Sequence, residues 1–154
     1  MLAPRSSLLD DRAVRRTAMD MLARREHSIT ELRKKLLARG FDASIVNESL
    51  RTLELDGLVS DARFAESFVR ARVARGQGPV RIRLALRERG VPEDDIEDQL
   101  AACDTDWQAL ARAVRRKRFG AEPEDFRARV RQARFLQYRG FTTDQIDAAL
   151  SDSL

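Results

Sequence analysis

One cysteine and one histidine, Cys103 and His27, are all that 154 residues offer for thiol or imidazole chemistry. A lone cysteine forms no internal disulfide and suits a reducing compartment. A single Cys with a single His also falls short of a zinc ligand set. Trp107 and Tyr138 stand alone in their types, and seven Gly and four Pro are too few for the frequent turns of a sandwich or barrel. The longest unbroken apolar run, Leu100 to Cys103, is far shorter than a membrane span. The opening MLAPRSSLLDDR lacks the apolar centre of a signal peptide and carries acids early. These absences point to a soluble, all-α, cytoplasmic protein with no cofactor.

Charge is abundant, and it comes in blocks. The chain has 29 basic and 25 acidic side chains, a net of only +4. Residues 62–90 hold eight basic groups against two acids, and residues 107–139 hold ten against three. Between them, residues 91–106 carry seven acids and no base. The basic surfaces are therefore more strongly charged than the net value implies.

Helical spacing is present throughout. Val14, Ala18, Met21 and Leu22 mark a first helix over about 11–25, after ten residues without pattern that read as flexible. Ser28 with Glu31 three residues on forms a capping-box pattern, and the helix behind it buries Ile29, Leu32 and Leu36 before Gly40. A third helix begins near Asp42 or Ser44, buries Val46, Leu50 and Leu53, and stops at Asp56-Gly57. In the middle, Phe64 and Phe68 with Ala65, Val69 and Val73 make a wide apolar face. Gly76 and Gly78 break that helix, Pro79 starts the next, and Gly90 ends it.

The plan recurs with a period of 50 residues. Arg39-Gly40, Arg89-Gly90 and Arg139-Gly140 keep this spacing. So do Leu36, Leu86 and Leu136; Phe41, Val91 and Phe141; Ser44, Asp94 and Asp144; Val46, Ile96 and Ile146; and Leu50, Leu100 and Leu150. Seven matched positions in one register indicate three tandem three-helix, helix-turn-helix-like repeats, over 11–57, 58–104 and 105–154. Such repeats imply an elongated, curved array. Trp107, Leu110, Ala111 and Val114 open the third repeat. Its longer second helix aligns Phe126, Val130, Ala133 and Leu136, which places Phe126 in the core.

Little in the chain suggests catalysis. His27 reads as an exposed polar residue in a turn, and Cys103 as a small core residue. Gly76-Gln77-Gly78-Pro79 is too short for a phosphate loop and lacks the Lys-Ser/Thr that follows one. The acids Glu93, Asp94, Asp95, Glu97 and Asp98 suit a helix start, where the dipole favours them. Metal ligands of suitable spacing are missing. In each repeat the first two helices are basic while the third is acidic or near neutral, so base reading by a third helix in the major groove is a poor fit. The arginines suit phosphate contact instead, or pair with the acidic helices. With Phe64, Phe68 and Phe126 assigned to the core, no base-stacking platform is evident.

Two stretches add a resemblance. DGLVSDARFAESFVRARVARGQGPVRIRLALRERGV (Asp56–Val91) and LARREHSITELRKKLLARGF (Leu22–Phe41) resemble the RecX family, and KRFG (Lys117–Gly120) and RGFTTDQI support this in the third repeat. At Ser60 the chain departs from the acid that many members carry beside Asp61. The resemblance implies a non-enzymatic, monomeric regulator of the RecA recombinase in homologous recombination and the SOS response. It implies binding in the groove of the RecA–DNA filament, with suppression of ATP hydrolysis, strand exchange and coprotease activity, and with single- or double-stranded DNA as a further partner. Contact candidates are Arg70, Arg72, Arg75, Arg81, Arg83, Arg87, Arg115, Arg116 and Lys117. The competing readings are a RecA-independent, largely non-specific DNA-binding protein and, behind it, a helical adaptor.

Overall fold

The computed structural model describes residues 4–151, with side chains from Asp10 onward. The described residues form nine helices and no strand: α1 (Pro4–Arg24), α2 (Ile29–Ala38), α3 (Ala43–Leu55), α4 (Asp61–Ala74), α5 (Pro79–Glu88), α6 (Glu93–Ala102), α7 (Trp107–Phe119), α8 (Phe126–Tyr138) and α9 (Thr143–Ala149). Three helices per repeat follow the 50-residue period. The first helix starts at Pro4, earlier than its apolar pattern, because proline suits a first helical position whose N–H would be unpaired anyway.

Helix ends are set by local chemistry. Ser28 Oγ accepts from Glu31 N, Asp42 from Ser44 N and Ile45 N, and Asp125 from Ala128 N. The full capping box occurs at Thr142 and Gln145, where side chain and backbone bond reciprocally. At Ser28 the expected partner Glu31 turns aside, 3.0 Å from Arg25 Nη2 and 3.6 Å from Arg89 Nε. A competing pair of guanidinium groups outweighs one backbone N–H for that carboxylate. At the other ends, Leu58 N bonds Leu53 O at 2.9 Å and Phe141 N bonds Leu136 O at 3.2 Å, the six-to-one bond of a Schellman cap behind a left-handed glycine.

The chain divides into two compact units, residues up to Ser67 with Arg87–Ile96, and Phe68–Leu86 with residues from Glu97 on. In the first, α1, α2 and α3 enclose Val14, Ala18, Leu32, Leu36, Val46, Leu50, Leu53 and Val59. In the second, α7, α8 and α9 enclose Ala111, Leu136, Phe141, Ile146, Ala149 and Leu150. Leu36 with Leu136, Val46 with Ile146, and Leu50 with Leu150 do the same work in both, so the sequence period is a period of core positions. Burying each such side chain contributes about 1.5–3 kcal/mol.

Each unit also contains one corner docked on one helix start. In the first, Ser28 Oγ donates to Arg89 O at 2.7 Å, and Gly90 lies against Thr30. In the second, Gly78 N donates to Arg139 O at 2.8 Å, and Val80 N donates to Gly140 O at 2.9 Å. The residues are again 50 apart: Ser28 matches Gly78, and Arg89-Gly90 matches Arg139-Gly140.

Three expectations change. His27 is buried, with 2 % of its surface exposed, because Arg25 O and Lys35 Nζ each sit 3.0 Å from one ring nitrogen and satisfy it out of water. Cys103 is half-buried, its Sγ donating to Leu100 O at 3.0 Å. Phe126 is 80 % exposed. The buried face of α8 runs through Gln132 and Leu136, and at 100° per residue Phe126 lies about 80° around from Leu136.

Candidate interaction surface

The sequence-predicted arginines part into three groups. Arg83 and Arg87 are tied to the acidic α6: Arg83 Nε lies 2.7 Å from Glu97 Oε1, and Arg87 pairs with Glu93. Both pairs are at least partly exposed, so each contributes about 1 kcal/mol or less. Arg72 and Arg81 are held by neighbours. The Arg72 guanidinium lies 4.5 Å over the Phe68 ring and donates to Gln77 Oε1 at 3.2 Å. The Arg81 guanidinium lies 4.9 Å over Tyr138 and donates to its carbonyl at 3.2 Å. Arg70, Arg75, Arg116 and Lys117 are exposed. Arg115 stands apart, a core residue with 0 % exposure. The run Arg115-Arg116-Lys117 rotates through 200° on a helix, so its members do not share one face, and packing turns Arg115 inward.

Arg75 and Lys117 come together. The end of α4 and its glycine turn, one face of α7 and the end of α8 border an open groove of about 450 Å³. Val73, Leu110, Val114 and Phe135 supply its apolar floor, and Arg75, Lys117, Arg118 and Arg139 its cations; no carboxylate lines it. Aromatic rings position two of these cations. Arg139 lies 5.2 Å over Phe135, while Arg118 lies 5.3 Å over Phe119 and 5.8 Å over Phe135. Phe119 and Phe135 meet edge to face at 5.4 Å. Arg139 also donates to Arg75 O at 3.1 Å, which joins the rim to the turn after α4. Such a groove favours a partner that is acidic and partly apolar.

Arg118 and Arg139 are not singled out by the sequence. Arg118 lay in the basic run, but nothing linear placed it beside Phe135. Arg139 stands in the sequence as part of the helix stop at Gly140.

The first unit has a second basic hollow, bordered by Met21, Arg24, Arg25, His27, Lys35 and Arg39. His27 Nδ1 donates to Arg25 O, which leaves Nε2 to accept from Lys35. Burial holds the His27 pKa below its ordinary 6.5, helped by the nearby Arg25 and Lys35 charges and opposed by the bond to Arg25 O. Asp61 is the other shifted group. Burial raises its pKa, while the bond it accepts from Ile29 N at 2.9 Å pulls it back.

Among the described residues no group of three or more His, Cys, Asp or Glu is placed to hold a metal ion, and no helix is long and apolar enough to cross a membrane. Family models of the RecX first, second and third three-helix domains match residues 15–53, 60–100 and 104–150. The chain belongs to the RecX family. It is 54 % identical over 138 residues to the regulatory protein RecX of Halorhodospira halophila, covering 89 % of this chain and 86 % of that one. It is 49 % identical over 140 residues to that of Pseudomonas savastanoi pv. phaseolicola, covering 90 % of each. The crystal structure of RecX from Lactobacillus salivarius has the same fold, with a TM-score of 0.78 at 23 % identity over 92 % of this chain and 94 % of that one. A second RecX crystal structure gives 0.80 at 24 % identity, over 92 % of this chain and 72 % of that one. All-α architecture with three tandem RecX domains is thereby the fold of this chain.

Proposed function

We propose that this protein is a non-enzymatic regulator of RecA that binds the RecA–DNA filament in its groove and suppresses ATP hydrolysis, strand exchange and coprotease activity. Membership in the RecX family makes RecA the partner to consider. The observation that carries the rest is the carboxylate-free groove of Arg75, Lys117, Arg118 and Arg139 over an apolar floor. A filament repeats one surface, and a chain of three similar domains can engage it at several weak points with high effective concentration. Of the sequence-predicted contacts, Arg70, Arg75, Arg116 and Lys117 remain exposed for this role. Arg72, Arg81, Arg83 and Arg87 serve internal contacts first, and Arg115 is withdrawn by its burial.

The test is RecA's single-strand-dependent ATP hydrolysis with this protein titrated below the RecA concentration. Inhibition at low ratio is expected. A Lys117→Glu, Arg118→Glu double variant should need on the order of tenfold more protein for the same effect, with unchanged helicity. Inhibition equal to that of the unaltered protein would remove the groove from the contact surface. No inhibition by either protein would remove RecA.

A further inference from the structure

The groove of Arg75, Lys117, Arg118 and Arg139 is charged only along its rim. Its floor is bare hydrocarbon: Val73, Leu110, Val114 and Phe135 are partly exposed, and Ala74 and Ala113 beside them are exposed. Leu110, Ala113, Val114 and Lys117 keep the spacing of one helix face, so α7 sets apolar floor and cation along a single stripe. None of the four cations belongs to an ion pair among the described residues. Arg83 and Arg87, by contrast, meet α6. Helix dipoles account for part of this, since Lys117 and Arg118 stand in the last turn of α7. They do not account for an apolar strip left open between the charges.

Three features narrow the ligand. At about 450 Å³ the groove has the size of a pocket for a few side chains, not of a docked domain face. The Phe135 ring is already engaged by Arg139 at 5.2 Å and Arg118 at 5.8 Å, so a stacked base would have to displace a cation. Guanidinium groups held over a ring keep their edge N–H donors for carboxylates. In an extended peptide, side chains two residues apart project to one side, about 7 Å from each other. An acid-x-apolar-x-acid segment therefore presents one hydrocarbon group between two anions, the complement of this floor and rim. We propose that the groove captures a linear acidic peptide segment of a partner protein, with one apolar side chain on Val73, Leu110, Val114 and Phe135 and the flanking carboxylates on Lys117, Arg118 and Arg139. The proposal rests on the reading of this groove as a contact surface, and narrows its ligand to a short peptide motif. A nucleic-acid strand would neutralise the cations and leave the floor wet.

The experiment is fluorescence anisotropy with the full chain, free of RecA, and a labelled synthetic peptide that carries aspartates two residues either side of one leucine, with serine elsewhere. Binding is expected. Serine in place of that leucine should weaken it about tenfold or more, the share of one buried apolar side chain. Asparagines in place of the aspartates should weaken it similarly, and added salt should weaken the parent peptide. In the protein, Ala113→Glu places a carboxylate on the floor, one turn before Lys117, where it pairs with that cation and repels the peptide. Affinity should fall about tenfold or more, while circular dichroism stays unchanged because Ala113 is exposed. Lys117→Ala with Arg118→Ala gives the same loss from the rim. No binding of the parent peptide by the unaltered chain would overturn the proposal. So would equal affinity for the serine peptide, which would leave the floor without a role. An oligothymidylate that binds the chain and loses as much affinity as the peptide on Ala113→Glu would overturn it too, by making the groove a phosphate surface. Failure of the peptide, with RecA inhibition still weakened by Lys117→Glu and Arg118→Glu, sinks this proposal and leaves the RecA reading standing. Peptide capture without any inhibition of RecA upholds it and removes RecA as the partner.

Discussion

The two docked corners solve one problem with different atoms. In the first unit the helix start at Ser28 offers a hydroxyl, which accepts from Glu31 N and donates to Arg89 O. In the second unit the equivalent residue is Gly78, and the contact is backbone to backbone, through Gly78 N and Val80 N. A side chain holds the corner at a distance in one case, and its removal lets the chains close up in the other. A Cβ added at Gly78 would lie far inside van der Waals contact of the Gly140 carbonyl and Phe141 N, which are main-chain atoms and cannot rotate away. Repeats that share a sequence period therefore need not share an interface chemistry.

The sharpest way to break the comparison is to give the second corner the residue of the first. Gly78→Ser should destabilise by about 3 kcal/mol or more, through overpacking and two lost backbone bonds. The check is a denaturant melt followed by circular dichroism, with hydrogen exchange at Val80 N. Full retention of stability would mean that the corner is looser than its geometry implies. The reciprocal change is milder. Ser28→Gly leaves room at the first corner and removes one cap and one bond, a cost of about 1–2 kcal/mol in the same melt. A loss as large as that of Gly78→Ser would show that both corners depend on the same interaction after all.

The smallest effect concerns pH and the first unit alone. His27 resists protonation when folded, so the unfolded chain binds the extra proton as pH falls below 6.5. Its contribution is complete above that value and is lost as pH drops towards the depressed folded value. Asp61 acts in the opposite sense, because its raised pKa favours the folded state on acidification from above its ordinary 3.8. Denaturation midpoints measured between about pH 7 and pH 5 should fall in the unaltered chain and stay flatter in His27→Gln, whose amide can donate to Arg25 O and accept from Lys35. Identical slopes would assign the acid sensitivity elsewhere.

What could be read in advance was whatever depends on local order. The 50-residue period, the glycine stops, the caps at Ser28 and Asp42 and the core roles of Leu36, Val46, Leu50 and Leu136 all follow from helical spacing and backbone rules. The family was legible too, since its motifs are continuous in the chain. The candidate surface was legible only as a surplus of arginines. Spacing makes Phe126 and Val130 look like a core line, and Arg115-Arg116-Lys117 like one basic patch. Which face of α8 meets α7 and α9, and which member of the run turns inward, depends on where the packed helices stop covering one another.

By itself, then, the amino-acid order determined the helices of three similar sets, most of their ends, and the repeated residues Leu36, Val46 and Leu50 and their equivalents that each set buries. Tertiary structure decided which arginines were spent on Glu93, Glu97, Phe68 and Tyr138, and which stayed open around the groove and along α8. The division has a physical basis. Helix formation and capping act within a few residues, so sequence encodes them directly. Partners for a long, flexible guanidinium group are chosen across space, among residues as far apart as Arg81 and Tyr138, after the helices have packed.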